Sequence, residues 1–174
     1  MDDSSSSPIR TEDETDGDAK VTLDEVDRGV LYALQRDARN VTIREIAAEV
    51  EVSASTVRNR IEKLEESGVI QSYAPQIDYE RAGFPLKIQF VCTADPDTRS
   101  TVAVDVLDVE GVIEVNEMVT SERNLHIQAV ATATRDLTRI AEELTGYGVR
   151  VHSSEIITNH YSKPWGHFAF DTDR

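Results

Sequence analysis

The sequence predicts an α+β protein of two units. Apolar residues recur at helical spacing from Leu23 to Leu64, and from Leu86 onward strand-like alternation is interleaved with helical stretches. The 174-residue length leaves room for one or two domains at about 100 to 200 residues each.

Composition bounds the rest. The chain has 33 acids against 18 bases, a net charge of −15, and 39% hydrophobic residues, enough for ordinary cores. Its apolar runs fall far short of the roughly 18 residues that suggest a membrane span, which excludes an integral membrane protein. The first twenty residues, with seven acids, two bases and no apolar run, are the opposite of a signal or transit peptide, so a cytoplasmic location is expected. The same composition, with four consecutive serines, reads as a disordered acidic tail over 1–20. A single cysteine, Cys92, excludes an intramolecular disulfide and any zinc site needing two thiolates. Only 4 of the 18 bases are lysine, and the surplus acid is spread along the whole chain. That pattern suits a cell at molar salt, where the screening length falls to about 3 Å and self-repulsion costs little.

Three helices are expected first. Leu23, Val26, Val30 and Leu34 mark one, Ile43, Ile46, Ala47 and Val50 the next, and Val57, Ile61 and Leu64 the third. Thr22, Thr42 and Ser53 stand at N-cap positions, and Glu25 and Glu45 lie where they complete capping boxes with the first two. Val21, Val41 and Val52 precede the caps, with Val26, Ile46 and Val57 placed to close hydrophobic staples. Only Glu51 and Val52 separate the second helix from the third cap, which requires a tight turn and a steep crossing: a helix-turn-helix. Gly68 caps the third helix, and VIQSYAPQID supplies a short β stretch, broken at Pro75, that would form a wing. A winged helix-turn-helix is therefore expected over 21–78.

Residues 79–84 read as a linker. In LKIQFVC, Leu86, Ile88, Phe90 and Cys92 alternate with Lys87, Gln89 and Val91, as a half-buried strand requires. GVIEVNEM and LHIQAVA are further strands, Leu137, Ile140, Ala141 and Leu144 mark a helix, and VRVHSSEIIT closes the sheet. The stretch TVAVDVLDV fits both periods: Val102, Val104 and Val106 alternate, whereas Val102, Val106 and Val109 share a helical face. Read as a helix, it gives the ferredoxin-like order βαββαβ over 85–160, followed by a tail over 161–174.

At about 100° per residue, turning Val57, Ile61 and Leu64 inward puts Ser55, Asn59 and Lys63 on the opposite face of the third helix, with Thr56 beside them and Arg58 and Arg60 on the flanks. Hydroxyls and an amide suit base edges, and the cations suit phosphates. Arg44 and Ser53 join this DNA-binding set. Glu62 and Glu66 repel phosphate, so the first half of the helix is expected to enter the groove.

The segment LDEVDRGVLYALQRDARNVTIREIAAEVEVSASTVRNRIEKLEESGVIQSYAPQIDYERAGF resembles the DNA-binding half of the Lrp/AsnC (feast/famine) transcription regulators, and the resemblance extends over roughly residues 22–160. GVIEV stands at that family's usual glycine-valine turn, in its effector-binding (RAM/ACT-like) domain, and RNLHIQAVAT, SSEI and PWGHF look like members from halophilic archaea. The resemblance implies a homodimer that can assemble into tetramers or octamers, double-stranded DNA as partner, and no cofactor, membrane or catalytic role. It also implies a small-molecule effector site, often for an amino acid, at a loop that normally reads T-G-x-x-D. Here that loop is Thr120, Ser121, Glu122, Arg123 and Asn124, with His126 following. Ser121 replaces the freest backbone, and Asn124 replaces an anion suited to an ammonium group, so with Arg123 and His126 nearby an anionic or neutral ligand fits better.

The four histidines, His126, His152, His160 and His167, show no i, i+4 helix spacing and no CxxC companion, so no metal site is expected, although two could lie on neighbouring strands. Cys92 reads as a small core residue. Two rival functions share the scaffold. Sirohaem decarboxylases resemble it in both halves, but the chain lacks a clear second basic cluster for a tetrapyrrole rich in carboxylates. The outward Ser55, Thr56 and Asn59 would be useless to an enzyme, and a pure protein-interaction module would show no DNA retention.

Overall fold

Three capped helices and a four-stranded sheet account for nearly all the regular structure in the computed structural model, which describes residues 21–169. The tail expected over 1–20 and the last five residues of that expected over 161–174 lie outside the described residues. The chain divides into two units, one built around residues 76–160 and the other from residues up to 75 together with the segment from 161.

In the first unit, α1 (Glu25–Asp37), α2 (Ile43–Glu49) and α3 (Ala54–Glu66) enclose Val30, Ala33, Ile46, Val50, Val57 and Leu64, all fully or almost fully buried. Burying each of the five larger side chains is worth about 1.5 to 3 kcal/mol, which offsets part of the ordering cost of three short helices. Thr42 and Ser53 cap α2 and α3 as expected, with Glu45 closing the capping box on Thr42. The start of α1 differs. Its cap is Asp24, which accepts from the Asp27 N–H at 2.8 Å while Asp27 accepts from the Asp24 N–H at 3.1 Å, so Thr22 and Glu25 do not form the cap pair. A carboxylate is the better partner for helix-end amides, and here there are two, each capping the other's backbone.

The turn between α2 and α3 is closed by the Val52 N–H on the Ala47 carbonyl at 3.0 Å, with Glu51 in the left-handed region at φ 54°. Gly68, at φ 70°, ends α3 as expected. The β stretch expected in VIQSYAPQID is not formed: residues 71–78 are exposed and carry no strand. Among the described residues their backbone takes part in no strand pairing, the Asp78 carbonyl accepting only from the Ala82 N–H of the following turn at 3.0 Å, and an isolated hairpin is marginal without a partner face.

In the second unit β1 (Leu86–Thr93), β2 (Val112–Glu117), β3 (Leu125–Ala131) and β4 (Arg150–Ile156) form an antiparallel sheet in the order β2-β3-β1-β4, with α4 (Arg99–Asp105) and α5 (Thr134–Gly146) as crossovers. This is the ferredoxin-like βαββαβ order. TVAVDVLDV resolves as a helix running into a 3-10 turn, because Ala103, Val106 and Val109 turn inward together while Val104 stays at the surface. The core lies on one face, where Ile88, Phe90, Leu125, Ile127, Ile140 and Leu144 interlock. Cys92 belongs to it, and burial pushes its thiol up to about 12. Gly111 starts β2 at φ 101°, with its carbonyl accepting from the Val130 N–H at 2.8 Å. A Cβ there would lie 2.8 Å from the Val130 carbonyl oxygen, so only glycine fits.

Candidate nucleic-acid interface

The N-terminus of α3 is organised by one hydroxyl. Ser53 Oγ accepts from the Thr56 N–H at 3.1 Å and lies 2.8 Å from the hydroxyls of both Ser55 and Thr56. Ser53 is thereby saturated, whereas Ser55 is exposed and keeps acceptor capacity. Further along, Arg58, Asn59 and Lys63 are exposed, as is Arg44 on α2, and none of the four makes a side-chain hydrogen bond or ion pair among the described residues. They share a side with Glu62 and Glu66, both exposed.

Arg60 stands apart from this set. Its Nη1 lies 2.8 Å from Asp24 Oδ2 and 3.1 Å from Asp27 Oδ1, so it braces α3 against the start of α1. Asp27 is only 4% exposed, and a carboxylate that buried needs a cation. Partial burial pushes Asp24 up, but the hydrogen bond from the Asp27 backbone and the Arg60 charge outweigh it and hold Asp24 below the usual carboxylate range. The same two carboxylates thus cap one helix and anchor another. Sequence reasoning missed this brace; its only local sign was the Asp24-x-x-Asp27 spacing. A second tie, Arg36 Nη2 to Glu49 Oε2 at 2.7 Å, joins α1 to α2.

In the second unit, residues 118–124 form the loop between β2 and β3. The Met118 N–H donates to the Asn124 carbonyl at 2.9 Å, and the Thr120 hydroxyl to the Glu122 carbonyl at 2.7 Å. Arg123 sits in the left-handed region at φ 55°, its N–H held by Thr93 Oγ1 at 2.8 Å. Ser121, Glu122 and Arg123 are exposed, and His126 is half-buried on β3. Asn124 is fully buried and its amide is spent: Oδ1 accepts from the Ala94 N–H and Nδ2 donates to the Ala94 carbonyl, both at 2.9 Å. An aspartate could not make both bonds in its ionised form, so asparagine at this position serves a backbone clamp, with both polar atoms of its side chain engaged by Ala94.

His126 on β3 and His152 on β4 both flank β1, facing Val91 and lying beside Thr93 respectively, so they are not on neighbouring strands. Among the described residues no group of three or more His, Cys, Asp or Glu side chains could hold a metal ion, and no helix is long and apolar enough to cross a membrane.

The family described as winged helix-turn-helix DNA-binding matches residues 23–71, which span all three helices. An uncharacterised HTH-type transcriptional regulator of Pyrococcus abyssi is 31% identical over 150 residues, 85% of this chain and 92% of its own. A second from the same organism is 47% identical over 64 residues, 37% of this chain but only 43% of its own length. The solved structure of the leucine response regulatory protein LrpA of Mycobacterium tuberculosis superposes with a TM-score of 0.70 at 28% identity, covering 84% of this chain and 99% of that one. A reading helix with unpartnered polar groups, a βαββαβ unit and relatives matched nearly end to end lead to one conclusion: the chain belongs to the Lrp/AsnC family of HTH-type, DNA-binding transcriptional regulators.

Proposed function

We propose that this regulator reads double-stranded DNA through the first half of α3, with Ser55, Thr56 and Asn59 at base edges and Arg44, Arg58 and Lys63 on phosphates. The observation that carries the reading is the exposed, unpartnered state of Arg44 on α2 and of Arg58, Asn59 and Lys63 along α3. Ser53 acts through its cap and Arg60 through its brace; both position the reading helix. The chain acts as a regulator without a catalytic step, at least as a homodimer, because two reading helices on half-sites one helical turn apart multiply weak individual contacts. An effector, if bound at the 120–126 loop, meets Ser121, Glu122 and Arg123; Asn124 is committed to Ala94.

The test uses a duplex selected by the wild-type protein from a random-sequence pool. Asn59→Ala is expected to relax base preference, since a good bidentate base contact is worth about 1 to 3 kcal/mol of discrimination, whereas Arg58→Ala weakens binding to all sequences alike. Equal losses on selected and random DNA for both variants would refute the assignment of faces.

A further inference from the structure

The helix-turn-helix unit is not finished at residue 75. After β4 the chain returns to it, and residues 161–169 group with α1, α2 and α3. A 3-10 turn, Gly166–Phe168, closes on itself through the Phe168 N–H to the Trp165 carbonyl and the Ala169 N–H to the Gly166 carbonyl, both at 3.0 Å. Trp165, His167 and Phe168 stack: the Trp165 and Phe168 rings meet edge to face at 4.7 Å, and Trp165 and His167 lie 5.0 Å apart. The half-buried Phe168 packs against the core formed by Val30, Leu31, Ile46 and Leu64. The Trp165 backbone N–H donates to Gln35 Oε1 on α1 at 2.9 Å. Phe168 also walls a cavity of about 1100 Å³ lined by Leu31, Leu34, Ile70 and Tyr73.

Three features make this more than an end folding back. The docking point lies on the second half of α1, and the first turn of that helix holds Arg60 of α3 through Asp24 and Asp27. Ser55, Asn59 and Lys63 stay exposed, so the segment supports the reading helix without covering it. Finally, the last sheet hydrogen bond, Ile157 N–H to the Lys87 carbonyl at 2.8 Å, is separated from residue 161 by residues 158–160 alone. We propose that residues 161–169 are a strap: they complete the DNA-reading unit and hold α1 where its acidic first turn orients α3, so that docking of the strap and operator binding support each other. A rigid helix under a small core transmits docking at one end to the brace at the other, because packed interiors have little slack. Coupling of this kind is reciprocal: if the docked strap favours DNA binding, DNA binding favours the docked strap.

Trp165 is the chain's one tryptophan and is 59% exposed, so its emission reports docking directly. With full-length protein and a duplex selected from a random pool, Phe168→Ala is expected to red-shift Trp165 emission and to weaken DNA binding about tenfold, with far-UV helix content retained. Gln35→Ala, which leaves the core intact, is expected to produce a smaller shift and loss in the same direction, and it decides the matter if Phe168→Ala unfolds. In the wild type, saturating DNA is expected to slow acrylamide quenching of Trp165 by up to about 1.5-fold, as befits a ring that stays 59% exposed when docked, while a non-binding duplex leaves it unchanged. A red shift with undiminished affinity would overturn the positioning role, and quenching indifferent to bound DNA would overturn the coupling.

Discussion

Replacing Asn124 with alanine removes no charge and no exposed group, yet it is expected to be among the most damaging single changes in the sheet unit. The side chain is fully buried and satisfies both backbone groups of Ala94, itself 1% exposed. Each buried backbone group left unpaired costs about 1 to 3 kcal/mol, so the pair costs about 2 to 6 kcal/mol. A unit the size of residues 76–160 has a total stability on the order of 4 to 13 kcal/mol, at roughly 0.05 to 0.15 kcal/mol per residue. Half of that margin disappears. Guanidinium unfolding in molar KCl, followed by far-UV circular dichroism, measures the loss, and a cost below about 1 kcal/mol would refute the clamp. Asn124→Asp sharpens the test. The carboxylate would face the Ala94 carbonyl oxygen, so the folded state favours the protonated acid and raises its pKa above the unfolded value of about 3.9. Stability of the variant should then be highest in acid and fall as the pH rises from about 4 through the raised folded pKa. A flat profile over that window would mean that the second Asn124 bond is not formed.

Further expectations follow from the same geometry. Gly111→Ala forces a side chain into φ 101° with its Cβ 2.8 Å from the Val130 carbonyl oxygen, and it should lower stability by about 2 to 4 kcal/mol in the same assay. Arg60→Ala strands Asp27 but leaves it near water through the 30%-exposed arginine site, so a cost of about 1 to 3 kcal/mol is expected. A double-mutant cycle with Asp27→Asn should recover much of it; additive losses would show that no coupling exists. Because the Asp27 backbone N–H and the Arg60 charge hold Asp24 below the ordinary carboxylate range, its stabilising contribution is present above that range and lost as the pH falls through its lower folded pKa, which acid unfolding of wild type against Asp24→Asn measures. For DNA, Arg44, Arg58 and Lys63 offer at most three phosphate contacts per reading unit and so six in a homodimer, giving a salt slope near −5 in log–log form at about −0.9 per contact; binding to the selected duplex should persist near 2 M KCl, and a much steeper slope would reveal contacts outside this set.

What could be read in the sequence was local. Thr42 with Glu45, and Ser53 with Thr56, declare their helix starts within four residues, and the strand alternation of LKIQFVC and LHIQAVA needs no partner to be seen. Misreadings arose where the deciding partner lies far along the chain. The cap of α1 moved from Thr22 to Asp24 partly because Arg60, 33 residues beyond Asp27, rewards two carboxylates at that point. Asn124 looked like a ligand position because its partners are the backbone atoms of Ala94, 30 residues away, which carry no side-chain signature. The valines of TVAVDVLDV fit two periods, and only the sheet face they cover selects the helix. PWGHF carried a resemblance but no sign of its packing, since an aromatic cluster acquires structural meaning only from the helix it packs against.

The acid excess gives the free cations their weight. In a chain with nearly twice as many acids as bases, many arginines meet a carboxylate or carbonyl, as Arg28, Arg36, Arg60, Arg99 and Arg139 do. Among the described residues Arg44, Arg58 and Lys63 do not, and unlike the likewise unpaired Arg123 and Arg150 of the sheet unit they stand together on α2 and α3, where Glu65 turns to the Tyr73 hydroxyl at 2.7 Å. Leaving three cations unpaired beside acids forgoes only the small gain of exposed ion pairs, on the order of 0.2 to 1 kcal/mol each. It keeps them available for an anion they do not yet touch. At molar salt, the condition the composition suits, counterion release from so few cations would contribute little, and the proposed discrimination would come from direct contacts to base edges. Those contacts depend on the angle at which α3 is held, and that angle rests on Arg60 and the first turn of α1.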